Sequence, residues 1–218
     1  MVAMDELVIA DEPGAWVAAG FDVAADGVCR VGSVGLRLIG ADERRGLVGW
    51  TLSAVPDGTR SVDGVPTTVG SGGTSEGAEH PNGVRSVDHV VLASPHLART
   101  TDALAAIGVE PRREREGELG GVAVKQIFYR FGGVIVEVVG DPIATGSGPA
   151  SLWGVTFTVA DIDATAEFFG DRVSRVKDAV QPGRRIATLR HRDLDLSVRI
   201  ALISSMPRRV ATGGPDQV

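Results

Sequence analysis

VDHVVLASPHLARTTDALAAIGV, residues 87–109, is the stretch whose reading decides the fold. Val87, Val90, Val91 and Leu92 favour a pleated strand, and strict alternation predicts His89 on one face with Val87 and Val91. Ser94 and Pro95 then signal a helix start, Leu97, Leu104 and Ile107 recur at helical spacing, and Gly108 closes the helix. The segment reads strand, cap, short amphipathic helix, glycine.

Two other segments repeat this design. MDELVIADEPGAWVAAGF (4–21) predicts a strand, a cap at Asp11, Pro13 in the first turn and Gly20 at the end. WGVTFTVADIDATAEFFGD (153–171) predicts a strand, a cap at Asp161 and a stop at Gly170. Trp16 and Val17 in the first helix, and Ile162, Phe168 and Phe169 in the last, form the stripes expected to pack on a core. Each helix is followed by short strands, in DVAADGVCRVGSVGLRLIG (22–40), VAVKQIFYRFGGVIVEVVG (122–140) and RRIATLRHRDLDLSVRIALIS (184–204). Gly132 and Gly133 occupy a two-residue hairpin position, and a turn is expected near Arg192 and Asp193. A unit repeated in sequence repeats in space, so tandem βαβββ modules and an α+β fold follow.

GLVGWTLSAVPD (46–57) also echoes SLWGVTFTVADID (151–163), Gly49 matching Gly154 and Thr51 matching Thr156. Residues 1–56 therefore read as a degenerate module plus one extra strand. Residues 57–84, rich in Gly and Ser, read as a linker, 85–204 as a module pair (85–141 and 151–204), and 205–218 as a flexible tail.

The bulk numbers narrow the function. The chain has 218 residues, 43% hydrophobic and 23% charged, with a formal charge of -6. An acidic chain argues against nucleic acid or an anionic membrane as the main partner, although Arg112, Arg113 and Arg115 form a local basic cluster. MVAMDELVIADEP lacks the flanks of a secretion signal, and no apolar run is long enough to span a membrane. Cys29 is the single cysteine. A cytoplasmic protein with a small-molecule ligand is expected.

Tandem strand–helix–three-strand modules with a histidine in the first strand (VDHVV) and a glutamate in the last (VIVEVVGDP) resemble the vicinal oxygen chelate superfamily. That group includes glyoxalase I, extradiol dioxygenases, and fosfomycin- and bleomycin-resistance proteins. The resemblance implies curled sheets around a shared cleft, with metal ligands on the first and last strands of each module. His89 and Glu137 fall on the ligand positions of one module. Gly154 and Ala201 fall on those of the next, and neither can bind a metal. The resemblance further implies a divalent metal (Zn, Ni, Mn or Fe) held by His89 and Glu137, with Glu6 or His80 as the third ligand. A homodimer, or the extra amino-terminal module in place of a partner, would complete the fold.

Two function classes follow. One is a glyoxalase-like lyase or isomerase acting on a small oxygenated molecule, with His89 and Glu137 as catalytic ligands or as an acid–base pair. The other is a metal-free small-molecule binder of the bleomycin-resistance type. A dioxygenase is disfavoured, because its iron site needs a second histidine. In RRIATLR one of the adjacent arginines faces the cleft by alternation, Arg185 being the expected one. Gln126, Tyr129 and Trp153 are expected to line the cavity with it. His96 and His191 are expected at the surface.

Overall fold

The computed structural model describes residues 1–41, 44–73, 77–119 and 121–206. Most of the expected tail, 207–218, lies outside the described residues. The fold is α+β, with mixed sheets, few helices and one strongly curled half-barrel.

The amino-terminal sheet holds β1 (Ala3–Ala10), β2 (Val28–Val31), β3 (Val34–Leu38), β4 (Gly46–Ser53), β5 (Ser61–Val62) and β6 (Val65–Gly70), with α1 (Pro13–Ala18) after β1. β1 runs parallel to β3, β4 runs parallel to β6, and β1 and β4 meet antiparallel at the centre. The carboxy-terminal sheet repeats this plan in longer strands. It comprises β7 (Val84–Ala93), β8 (Arg113–Leu119), β9 (Val122–Phe131), β10 (Val134–Gly140), β11 (Ser151–Val159), β12 (Lys177–Asp178), β13 (Arg185–Thr188) and β14 (Arg199–Ser204). α2 (Leu97–Ala106) follows β7 and α3 (Ile162–Phe169) follows β11. β7 is parallel to β10, β11 is parallel to β14, and β7 and β11 are the antiparallel centre.

Residues 57–84 are therefore more than a linker, since β5 and β6 lie within them. Val62 and Val65 are buried on either side of Asp63-Gly64, and Asp63 (φ 45°) and Gly64 (φ 83°) are both left-handed. That is the Asp-Gly pattern of a tight hairpin, and β6 then gives β4 the parallel partner that completes a helix-less module.

The helix starts differ in detail. Asp161 caps α3 as expected, accepting from the Asp163 and Ala164 amides. α2 is capped by His96, whose Nδ1 accepts from the Arg99 amide, while Ser94 Oγ accepts from the His96 amide. Asp11 does not cap α1. Its fully buried carboxylate accepts from Trp16 Nε1 at 3.2 Å and from the Ser197 amide at 3.1 and 3.2 Å, as well as from the Ser197 hydroxyl. Val17 and Phe168 lie exposed, whereas Trp16, Ile162 and Phe169 are buried.

The two sheets share one core. Trp50 of β4 stacks on Phe131 of β9 at 5.8 Å, and Phe21 meets Phe157 of β11 at 5.7 Å. Each aromatic pair of this kind adds about 1 kcal/mol to its area burial. Asp11 pins the amino-terminal half to Ser197, and Asp63 pins it to Arg99 (2.5 Å) and Thr100 on α2. One face of the carboxy-terminal sheet is thus sealed, and its opposite face is left to form a cleft.

Candidate functional site

β7 is not regular at its histidine. Val87 pairs with Phe157 and His89 with Thr156, so Asp88 is an extra residue in a β-bulge. Val87 is buried in the core, whereas Asp88 and His89 are both only partly buried and His89 lines the cleft. Strict alternation would have placed His89 beside Val87; the bulge removes it from that side and sets it next to its own neighbour's carboxylate.

His89 Nδ1–H donates to Asp88 Oδ2 at 2.9 Å, and the Thr156 hydroxyl donates to His89 Nε2 at 3.0 Å. The hydrogen-bond network assigns the tautomer: with Asp88 ionised, the proton sits on Nδ1 and the lone pair on Nε2. Glu137 Oε2 stands 3.8 Å from that nitrogen. Both side chains are mostly buried, His89 16% and Glu137 13% exposed.

Asp88 is held ionised. Burial pushes its pKa up, but hydrogen bonds from His89 and Arg184 and the Arg184 charge outweigh this and bring it down to about 2. Arg184 Nη2 lies 2.6 Å from Asp88 Oδ1, and Thr158 Oγ1 donates to the same oxygen at 3.2 Å. The arginine is itself buried and anchored by Nε on the Ser204 carbonyl at 2.7 Å.

Glu137 is oriented from the neighbouring strands. Gln126 Nε2 donates to its Oε1, and Arg115 Nε donates to Gln126 Oε1 at 2.7 Å. This Arg115–Gln126–Glu137 line runs across β8, β9 and β10. The cleft above it has a volume of about 540 Å³ and is walled by β8, β9 and β10 on one side and residues 179–182 on the other.

The expected site residues separate accordingly. His89, Glu137 and Gln126 come together. Tyr129 borders the same cleft, but its ring is buried and its hydroxyl is spent on Thr101 of α2 at 3.0 Å. Arg185 points outward and pairs with Asp163 of α3 at 2.5 and 2.9 Å, so Arg184 is the inward arginine. Trp153 lines a neighbouring cavity of about 530 Å³ under the Arg199 guanidinium, 4.8 Å from the ring centre. His191 is half-buried in that second cavity.

Neither expected third ligand reaches the site. Glu6 lies on β1 of the other sheet, with both carboxylate oxygens taken by Arg37 at 2.7 and 2.9 Å. His80 spends both ring nitrogens on backbone: Nδ1 accepts from the Asp22 amide at 3.0 Å and Nε2 donates to the Arg30 carbonyl at 3.1 Å. Burial lowers its pKa, which keeps it neutral and tethering.

The donor set does not fit a catalytic metal. Among the described residues no three His, Cys, Asp or Glu side chains converge, whereas such a site usually has three protein ligands. β14 runs beside β11 with Gly154 against Arg199, as β10 runs beside β7 with Ile135 against His89. Two residues on, Ala201 answers Glu137, so the second module offers no donor. A Cβ at Gly154 would stand 2.9 Å from the Arg199 carbonyl oxygen, which forbids a side chain there without backbone movement.

No protein-family profile matches the sequence, and no curated protein sequence matches it. Solved structures do. A triple mutant of 4-hydroxymandelate synthase from Streptomyces coelicolor is 14% identical with a TM-score of 0.63, covering 95% of this chain and 93% of that one. Catechol 2,3-dioxygenase is 10% identical with a TM-score of 0.60, covering 97% and 96%. An extradiol ring-cleaving dioxygenase from B. fuscum is 14% identical with a TM-score of 0.54, covering 98% and 74%. The likeness is one of fold, and it takes in both sheets. The chain has the fold of the vicinal oxygen chelate superfamily. Among the described residues no helix is long and apolar enough to cross a membrane.

Proposed function

We propose that this chain is a glyoxalase-like proton-transfer enzyme, an isomerase or lyase acting on a small oxygenated molecule, in which His89 is the base and no metal is required. The observation that carries the reading is the Asp88–His89 pair on the cleft wall, with Nδ1–H fixed on an ionised carboxylate and the Nε2 lone pair held only by the exchangeable Thr156 hydroxyl. A carboxylate in that position orients the imidazole and stabilises the cation formed when it accepts a proton. His89 Nε2 takes a proton from a carbon next to a carbonyl, and the electron pair passes to the carbonyl oxygen as an enolate. The imidazolium then lies between Asp88 and Glu137, which share its charge. Return of the proton from His89 to a neighbouring atom on the same face completes an isomerisation. Expulsion of a group from the next carbon completes a lyase reaction.

The metal-free binder is the second reading, favoured by the empty donor positions at Gly154 and Ala201. One experiment separates them. Protein purified without an affinity tag and treated with chelator is incubated in D2O with a set of 2-hydroxy and 2-oxo carboxylates, and exchange of the C–H beside the carbonyl is followed by NMR. Exchange by the chelated protein that is lost in His89→Ala supports the enzyme. Binding of a compound without exchange leaves the binder, and exchange that returns only with added divalent metal overturns the metal-independent mechanism.

A further inference from the structure

Three arginines of the cleft keep their guanidinium groups uncommitted beside the candidate base, while several others are paired. Elsewhere, Arg37 pairs with Glu6, Arg85 with Glu79, Arg99 with Asp63, Arg184 with Asp88 and Arg185 with Asp163. Arg112, Arg113 and Arg130 line the cleft, and among the described residues their guanidinium groups have no carboxylate and no hydrogen-bond acceptor. Arg113 stands opposite Phe128 across β8 and β9, and Arg130 stands opposite Ile135 across β9 and β10, so both side chains lie on the same sheet face as Glu137. Arg115 adds a further positive charge behind Gln126.

This arrangement runs against the chain as a whole, whose formal charge is -6. Arg112, Arg113 and Arg130 are exposed at the mouth of the cleft, and like charges gathered there sum to a local positive potential. The cleft wall holds a single carboxylate, Glu137, and that group is already occupied by Gln126 and His89. The uncompensated positive charge is therefore open to a ligand. Guanidinium forks match carboxylate and phosphate oxygens in pairs, with geometric selectivity that a point charge lacks.

We infer that Arg112, Arg113 and Arg130 form an anion-recognition rim that seats the carboxylate or phosphate of the substrate and leaves its carbonyl end at His89. The placement of the carbonyl end rests on the proton-transfer reading; the binding of the anion does not. Phe128 and Ile135, between the rim and Glu137, supply an apolar floor for the carbon skeleton.

The test is calorimetric titration of the full chain with malonate, with inorganic phosphate and with neutral malonamide. Arg113→Ala, Arg130→Ala and their double variant are compared with Arg85→Ala, an exposed arginine outside the cleft. Malonate or phosphate binding should weaken about 10-fold in each single cleft variant and about 100-fold in the double variant. It should remain unchanged in Arg85→Ala, fall with added salt, and be absent for malonamide. The stronger of the two anions identifies the carboxylate or phosphate source. Anion binding indifferent to both cleft variants, or no binding of either anion, overturns the inference. His89→Ala should abolish exchange while keeping anion affinity, so failure of the chemistry and failure of the rim give different results. Exchange with neutral amides that equals exchange with anions and is unaffected by Arg113→Ala would sink the rim alone.

Discussion

In the amino-terminal sheet, Glu6 follows Asp5 at a bulge on β1 and stands opposite Thr51; in the carboxy-terminal sheet, His89 follows Asp88 at a bulge on β7 and stands opposite Thr156. The parallel neighbour is in the same register in both, Gly35 beside Glu6 and Ile135 beside His89. Two residues further along that neighbour, one half has Arg37 and the other Glu137. Even the flanking contact is repeated, since Ser53 donates to Asp5 at 2.7 Å as Thr158 does to Asp88 at 3.2 Å. The backbone device is one and the same. In the amino-terminal half, acid and base neutralise each other in a two-pronged ion pair that commits both carboxylate oxygens to Arg37. In the carboxy-terminal half, Nδ1 of the histidine is tied to Asp88, and Nε2 accepts only from the Thr156 hydroxyl, a bond it gives up to take a proton from substrate.

His89→Ala breaks the contrast most directly. Exchange activity should drop about 1,000-fold with the fold intact, whereas Glu6→Ala should leave it unchanged; NMR-monitored exchange checks both. Arg184→Met comes next. It strands the buried Asp88 carboxylate, and chemical denaturation at neutral pH should show a loss of about 3 kcal/mol. Because the folded pKa of Asp88 is depressed to about 2 from an ordinary 3.8, this stabilisation is complete above the ordinary value and lost as pH falls toward 2. The gap between wild type and Arg184→Met should therefore be steady above about pH 4 and close below it.

Glu6→Gln sharpens the contrast from the other side. Arg37 is 42% exposed, so solvent screens the pair, and denaturation should register a loss of only about 0.5 kcal/mol. His80→Gln should have the smallest effect. The amide can imitate both ring contacts, but it cannot titrate. Since burial lowers the pKa of His80, wild type should lose stability as pH falls below the ordinary value of 6.5, and that component should be missing from the variant. A urea series between pH 7 and 5 measures it.

The module plan was legible because strand and helix periodicities and glycine stops recur, and His89 and Glu137 could be named from their strands. The bulge was harder to see. Its trace is Asp88-His89, adjacent polar residues in an apolar strand, which alternation alone assigns to opposite faces. Gln126 and Tyr129 differ by an odd number of positions, so one regular strand turns their side chains to opposite faces; both border the cleft, but burial and Thr101 hold the Tyr129 ring and hydroxyl away from Glu137. Alternation favours Arg185 as the inward arginine, but β13 begins at Arg185, so Arg184 falls outside the alternation that would orient it. The hairpin at Asp63-Gly64 was masked by the glycine-rich composition around it.

Gly154 limits the mutational routes open to this protein. A Cβ at its counterpart Gly49 would stand 2.9 Å from the Pro66 carbonyl oxygen, the same distance that separates a Cβ at Gly154 from that of Arg199. Both halves thus bring parallel strands into backbone contact at the position where another module would present a donor. A single codon change cannot add that donor, because any side chain must first part β11 from β14. The path from this cleft to a complete metal centre therefore crosses a poorly packed intermediate, while small changes at the arginine wall remain freely accessible. Variation in such a lineage should accumulate in what the cleft recognises and leave the manner of its chemistry alone.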